Sequence, residues 1–287
     1  MPPKEPGRIG KMKIGIIGLG LMGGSLSLAM RAQYDALEVI GMDHNDQHCI
    51  EALELGLVDK IVDTLAEIAV VDVLFLSVPV DGIIALLQSL PPLAETTTVI
   101  DLGSTKARIV AAVPEVIRSN FVAAHPMTGT EKFGPTAAIN DLYRGKAVVL
   151  CDMEESGIHQ QETAKKIFAD IGMKIFYMGA EAHDRHAAII SHMPHALSYA
   201  LAHSVMAQED PRAIIALAGG GFRDMSRIAK SSPAMWRDIF EQNQENLIEA
   251  IDSFQAELDR CRTLVAQSQW DDLSRWMAEA NRLHEIL

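Results

Sequence analysis

The stretch Lys13-Ile-Gly-Ile-Ile-Gly18-Leu-Gly20-Leu-Met-Gly23-Gly24-Ser25 decides the fold, because an apolar run of strand length passes through G-x-G-x-x-G directly into residues of helical period. Each glycine has its own task at such a turn. Gly18 allows a tight reversal, Gly20 lets the backbone approach a phosphate, and Gly23 lets helix and strand pack closely while the helix N-terminus faces an anion. Leu21 and Met22 belong to the same cradle. Twenty residues after Gly23, Asp43 closes the second apolar run, where a carboxylate can accept hydrogen bonds from ribose hydroxyls. A carboxylate there repels a 2′-phosphate, so the pattern predicts NAD and disfavours NADP; the neighbouring His44 is the one contrary sign. Ser77-Val78-Pro79 ends a later strand and is expected to border the cofactor where the strand order reverses.

Outward from this turn, apolar runs at Lys13–Ile17, Glu38–Met42, Val73–Ser77, Thr98–Leu102, Phe121–Ala124, Ala147–Cys151 and Lys174–Met178 alternate with helical patterns near 22–32, 46–55, 81–89, 105–118 and 156–171. That alternation predicts an α/β fold, a Rossmann-type doubly wound, largely parallel sheet over residues 12–179. Beyond Gly179 the strand signals stop. Segments 180–208, 211–218, 222–230, 233–265 and 269–287 predict an all-helical domain over 180–287, and residues 1–11 a disordered lead-in. Trp236, Phe240, Asn243, Leu247, Ile251, Phe254, Leu258, Cys261 and Val265 recur at steps of three and four, which draws one apolar stripe on a long helix. Such a stripe packs either within its own domain or against a second subunit.

Composition narrows the partners. With 25 basic against 38 acidic residues, the net charge of −13 argues against nucleic acid or an anionic membrane surface. Three widely spaced cysteines, Cys49, Cys151 and Cys261, fit neither a disulfide framework nor a zinc site. The opening residues contain no apolar core of a signal peptide, and no long uncharged apolar run follows, so a cytoplasmic protein is expected.

The chemistry is carried elsewhere. His125-Pro126-Met127-Thr128-Gly129-Thr130-Glu131 follows a strand, as does Ser104 in Asp101-Leu-Gly-Ser-Thr-Lys106, so both are expected at the carboxyl edge of the sheet, where ligands of open α/β folds bind. An imidazole there is suited to general-base work, with the Ser104 hydroxyl as its orienting partner. After three glycines, Arg223, Arg227 and Lys230 fall at i, i+4 and i+7, a basic face that in so acidic a chain reads as a carboxylate clamp or as a solvated surface. Ser191-His192-Met193-Pro194-His195 could suggest a metal, but no nearby ligand set completes it and Pro194 disturbs the helix that would aim both rings; polar lining of a pocket is the expectation, with no metal.

Together, Gly18–Gly23, Ser104, the loop 125–131, S-H-x-P-H at 191–195 and G-G-G-F-R-D-x-S-R-I-A at 219–229 resemble the prephenate/arogenate dehydrogenase family, over nearly the whole chain from Met12 to Leu287. The resemblance implies a Rossmann domain followed by a helical dimerisation domain, and NAD(P)-linked oxidative decarboxylation of prephenate to 4-hydroxyphenylpyruvate in tyrosine biosynthesis. It implies that His125 takes the ring hydroxyl proton, that Ser104 orients His125 and touches the nicotinamide side, and that Arg227 anchors the ring carboxylate. His195, His192 and Ser191 would line the pocket and Thr130 and Glu131 its mouth, with Trp236 and Asp224 reaching in from a neighbouring subunit. No room is seen for a fused chorismate mutase or a C-terminal regulatory domain. Alternatives are arogenate as substrate, a β-hydroxyacid dehydrogenase-like reductase, which would want a catalytic lysine in the helical domain, and a non-catalytic dinucleotide-sensing dimer.

Overall fold

A computed structural model describes residues 12–286; the lead-in expected at 1–11 lies outside the described residues. Eight strands form one sheet: β1 (Met12–Ile17), β2 (Leu37–Met42), β3 (Lys60–Ile61), β4 (Val73–Leu76), β5 (Thr98–Asp101), β6 (Phe121–Pro126), β7 (Ala147–Cys151) and β8 (Lys174–Met178), in the order β3-β2-β1-β4-β5-β6-β7-β8. The first six run parallel; β7 opposes β6, and β8 runs parallel to β7. The central strands are covered on both faces, so β4 reads Val-Leu-Phe-Leu and is buried throughout. One core face gathers Ile14, Ile16, Phe75, Ile100 and Val122, the other Ile17, Leu74, Leu76, Val99 and Ala123, as alternation along a strand requires.

The order reverses between β1 and β4, which opens a crevice above their carboxyl ends. Gly18, Asp43, Ser77, Gly103 and Met127 follow the ends of β1, β2, β4, β5 and β6, so the cofactor and chemistry motifs share that one edge.

Four expectations need correction. The two-residue β3 is too short for periodicity to register. The helix expected over 105–118 is Ala107–Ala111 followed by a 3-10 turn at Glu115–Asn120, because Pro114 takes an extended conformation between them. The stripe over 233–265 is two helices, Pro233–Gln242 and Gln244–Ala266, broken at Asn243. The basic run begins a helix at Gly220 but tightens into a 3-10 turn at Arg227–Lys230, so Arg223, Arg227 and Lys230 do not follow one α-helical face.

After β8 all described elements are helical. Ala180–Ala187 and Met193–Met206 form one continuous rod joined by a π turn at Ala188–His192. That widened turn sits just before Pro194, whose missing N–H and bulky ring do not fit a regular i→i−4 ladder. Asn243 Nδ2 donates to the Asp184 carbonyl at 2.7 Å, and Gln242 Nε2 donates to Asp81, so the break between the two later helices is pinned both to the rod and to the sheet domain.

Candidate active site

The glycine turn has the shape its sequence demands. Gly18 adopts φ +95°, and a Cβ on it would lie 2.3 Å from the Ser77 carbonyl oxygen; a Cβ on Gly23 would lie 2.0 Å from the Gly18 oxygen. Gly20 faces open space instead, with only the Gly134 nitrogen at 3.9 Å. Two glycines are therefore compulsory for packing, and the third leaves a surface that a phosphate can approach. The buried Ser77 hydroxyl beside this turn has no partner among the described residues. Val78 is half-buried and exposed Pro79 caps the following helix.

Asp43 is buried and already accepts from the Leu19 and Asn45 amides at 2.8 and 2.9 Å, with His44 and His48 ring nitrogens at 3.2 and 3.4 Å. It braces the glycine turn. The loop after β6 reaches back over the same region, where the Ile139 amide donates to Ser25 Oγ at 2.9 Å and the buried Tyr143 hydroxyl donates to the Met22 carbonyl at 2.8 Å.

His125 lies inside β6, not after it, opposite Val149 in the antiparallel pair. Its ring is buried, and its Nδ1 meets His183 Nε2 at 2.8 Å; His183 Nδ1 in turn meets Asp184 Oδ1 at 2.8 Å. The expected partner, Ser104, makes no hydrogen bond to His125 among the described residues; the contact at Nδ1 is made by His183, on the first helix after β8. Ser104 is half-buried at the end of β5. Burial holds the His125 pKa well below the usual imidazole value, and the His183, Lys106 and His192 charges act in the same direction. At neutral pH the ring is uncharged and can accept a proton.

A buried ion pair grips the backbone beside it. Lys106 and Asp101 are both wholly buried and paired; Lys106 Nζ also donates to the Ala124 carbonyl at 2.8 Å, and the Ala124 amide donates to Asp101 Oδ1 at 3.2 Å. The residue before His125 is thus held through both its donor and its acceptor.

Helical residues complete the surroundings. Trp236 is buried and stacks on His195, with centroids 3.5 Å apart and planes at 23°, and meets His192 edge-on at 6.1 Å. Both contacts lie within one chain. His195 Nδ1 donates to the Ser191 carbonyl at 2.9 Å. His192 Nδ1 accepts from the Asn243 amide at 3.1 Å, while its Nε2 is buried without a partner among the described residues; burial pushes its pKa down to about 4. The exposed Arg227 guanidinium stands 4.0 Å from Glu131 and adds its charge to His195, so the helical region folds Arg227 back toward the His125 loop. Thr130 is exposed and accepts from the Lys132 amide; Asp224 is exposed.

Residues 26–177 match the family described as prephenate dehydrogenase, nucleotide-binding domain, and residues 179–279 the one described as prephenate dehydrogenase, dimerization domain. The chain belongs to the prephenate dehydrogenase family. It is 32% identical to prephenate dehydrogenase of Bacillus subtilis over 271 residues, 92% of this chain and 73% of that protein. It is 30% identical to cyclohexadienyl dehydrogenase of Zymomonas mobilis over 275 residues, 94% of each. A crystal structure of prephenate dehydrogenase from A. aeolicus, in complex with hydroxyphenyl propionate and NAD+, superimposes with a TM-score of 0.89 at 32% identity, covering 98% of this chain and 100% of that one.

Within this prephenate dehydrogenase family member, sequence reasoning missed the parts played by His183, Asp184, Asp101, Lys106 and Asn243. The available signal was charge at strand ends and helix starts. Nothing local says that Lys106 is buried or that His183 meets a ring 58 positions earlier.

Proposed function

We propose that this chain catalyses NAD-dependent oxidative decarboxylation of prephenate to 4-hydroxyphenylpyruvate. The observation that carries this reading is the meeting, at one sheet edge, of a glycine cradle open at Gly20, a buried neutral His125 and a returning Arg227. Gly18, Gly20, Leu21, Met22 and Gly23 would hold the pyrophosphate, Asp43 the adenosine ribose, and Ser77, Val78, Pro79 and Ser104 the approach to the nicotinamide; the open Gly20 face and the orphaned Ser77 hydroxyl fit that group. NAD supplies a hydride acceptor for the ring carbon that bears the substrate hydroxyl.

His125 withdraws the hydroxyl proton as that carbon is oxidised, so its basicity counts most where the transition state needs it. Loss of CO2 restores aromaticity, and the proton returns to the product oxygen. Arg227 pairs with the ring carboxylate, His192, His195 and Ser191 line the pocket under Trp236, and Thr130, Glu131 and Asp224 form its mouth.

A division at Gly179 into a dinucleotide-binding domain and a helical domain is supported by the end of β8 at Met178 and the separate family matches. Homodimerisation through the helical domain is supported by that domain's description and by exposed apolar Ile248, Phe254, Leu258 and Val265 on Gln244–Ala266. A cytoplasmic setting suits three unpaired cysteines, and no helix among the described residues is long and apolar enough to cross a membrane.

The test is nicotinamide reduction with NAD or NADP against prephenate and arogenate in turn. Turnover with NAD and prephenate is expected; turnover with arogenate alone would move the substrate, and no turnover with either would overturn the reading.

A further inference from the structure

Proton bookkeeping around Asp184 fixes the tautomers of two histidines. Asp184 Oδ1 accepts from the Lys106 amide at 2.8 Å, Oδ2 accepts from the Ala107 amide at 2.9 Å, and Oδ1 also meets His183 Nδ1 at 2.8 Å. An ionised carboxylate only accepts, so His183 must carry a proton on Nδ1. Neutral His183 then presents a lone pair at Nε2, and the 2.8 Å contact makes His125 donate from its own Nδ1. The remaining nitrogen of His125, Nε2, is left with a lone pair for substrate.

We propose that His183 and Asp184 are positioning residues that fix His125 in this tautomer and take over its proton, so that the reaction's positive charge rests on His183 beside the Asp184 carboxylate. The proposal rests on the reading of His125 as the base. In the step, the substrate O–H bond breaks and an Nε2–H bond forms on His125; the His125 Nδ1–H bond breaks and an Nε2–H bond forms on His183. His125 ends as the other neutral tautomer, His183 as an imidazolium paired with Asp184, and the reverse shift returns the proton to the product oxygen. No oxidant or further reactant enters.

The surroundings favour this division of charge. Lys106, with its ammonium bonded to the Ala124 carbonyl next to His125, opposes a cation on that ring, and so does burial. Asp101 is already committed to Lys106 and to the Ala124 and Gly103 amides. His192 faces the pair from the next turns of the rod and carries no anion of its own, since its partner is the Asn243 amide. Asp152 accepts from the Ala180 amide at 3.2 Å, and burial pushes the nearby Cys151 thiol up to about 12, which leaves it neutral. His186 lies one turn beyond His183 on the outer wall. Asp184, 2% exposed and bonded to His183, is therefore the carboxylate placed to pair with the charge on His183.

His183→Gln tests the idea, because its amide oxygen can still accept from His125 Nδ1 but cannot take a proton. The expected result is kcat lowered by roughly 10–100-fold, at the lower end of the general-base range, with KM for prephenate and NAD unchanged and the acid limb of the kcat–pH profile moved to lower pH. A variant with the wild-type kcat and acid limb would overturn the proposal. If His183→Gln does not fold, 15N-histidine NMR of the wild-type protein decides: neutral His125 is expected to carry its proton on Nδ1 and His183 on its own Nδ1. A neutral His125 protonated on Nε2 would overturn the relay. Wild-type protein without turnover would instead count against the function proposed above, so the two failures read differently.

Discussion

At the scale of single residues, the site works by removing alternatives. His125 cannot rotate freely, is kept neutral by burial, and has one nitrogen engaged by His183. His125→Asn should lower kcat by roughly 10²–10⁴ with little change in KM; steady-state kinetics showing an unchanged kcat would remove His125 from the mechanism. Arg227 is exposed and acts by charge, so Arg227→Ala should raise the prephenate KM by roughly 10–1,000-fold while kcat changes less. A normal KM would place the carboxylate clamp elsewhere. His192 ties the same region to stability. Its folded pKa is about 4, below the ordinary value near 6.5, so the unfolded chain takes up the proton first. Its contribution is whole above about pH 6.5 and is lost as pH falls toward 4, by about 3 kcal/mol for a shift of this size. His192→Gln should flatten the urea-unfolding free energy across that window.

At the scale of elements, β1 and the helix Leu21–Arg31 approach most tightly at Gly23. Gly23→Ala would drive a Cβ to 2.0 Å from the Gly18 oxygen and 2.9 Å from Ile16, so the turn must open. NAD affinity measured by fluorescence should fall by at least about tenfold, equivalent to about 1.4 kcal/mol; an unchanged Kd would mean that the turn does not hold the pyrophosphate. The pair of β5 and β6 depends on a buried charge pair instead. Lys106→Met leaves Asp101 buried and unpaired and should cost about 3–5 kcal/mol in unfolding free energy, while Asp101→Leu combined with Lys106→Met should recover much of it. Equal losses in the single and double variants would show that the pair has no such role.

At the scale of the molecule, the apolar stripe read from sequence divides in two. Trp236, Asn243 and Leu247 turn inward, whereas Phe254, Leu258 and Val265 further along remain at the surface. Both expectations for the stripe thus have a length of helix to act on, and the change comes after the break at Asn243. Sedimentation should give twice the 31.3 kDa chain mass, and Leu258→Glu should lower it toward that of one chain without altering the His125 surroundings. A single-chain mass for the unaltered protein at micromolar concentration would set the dimer aside.

Much of the architecture was legible from local pattern. Seven strands, the glycine turn and Asp43 follow from period, β-branching and spacing, because a buried parallel strand and a phosphate turn each impose their demands on consecutive residues. His125 and Arg227 were legible as residue types in a telling order. What the sequence could not determine was partnership: that His183 rather than Ser104 meets Nδ1, that Lys106 is buried against Asp101, and that Trp236 stacks on a histidine of its own chain. The histidine contacts are set by how the rod from Ala180 to Met206 docks against other elements, and the Lys106–Asp101 pair by how the end of β5 packs on Ala124 of β6. Local chemistry chose the base; tertiary packing chose which group stands behind it.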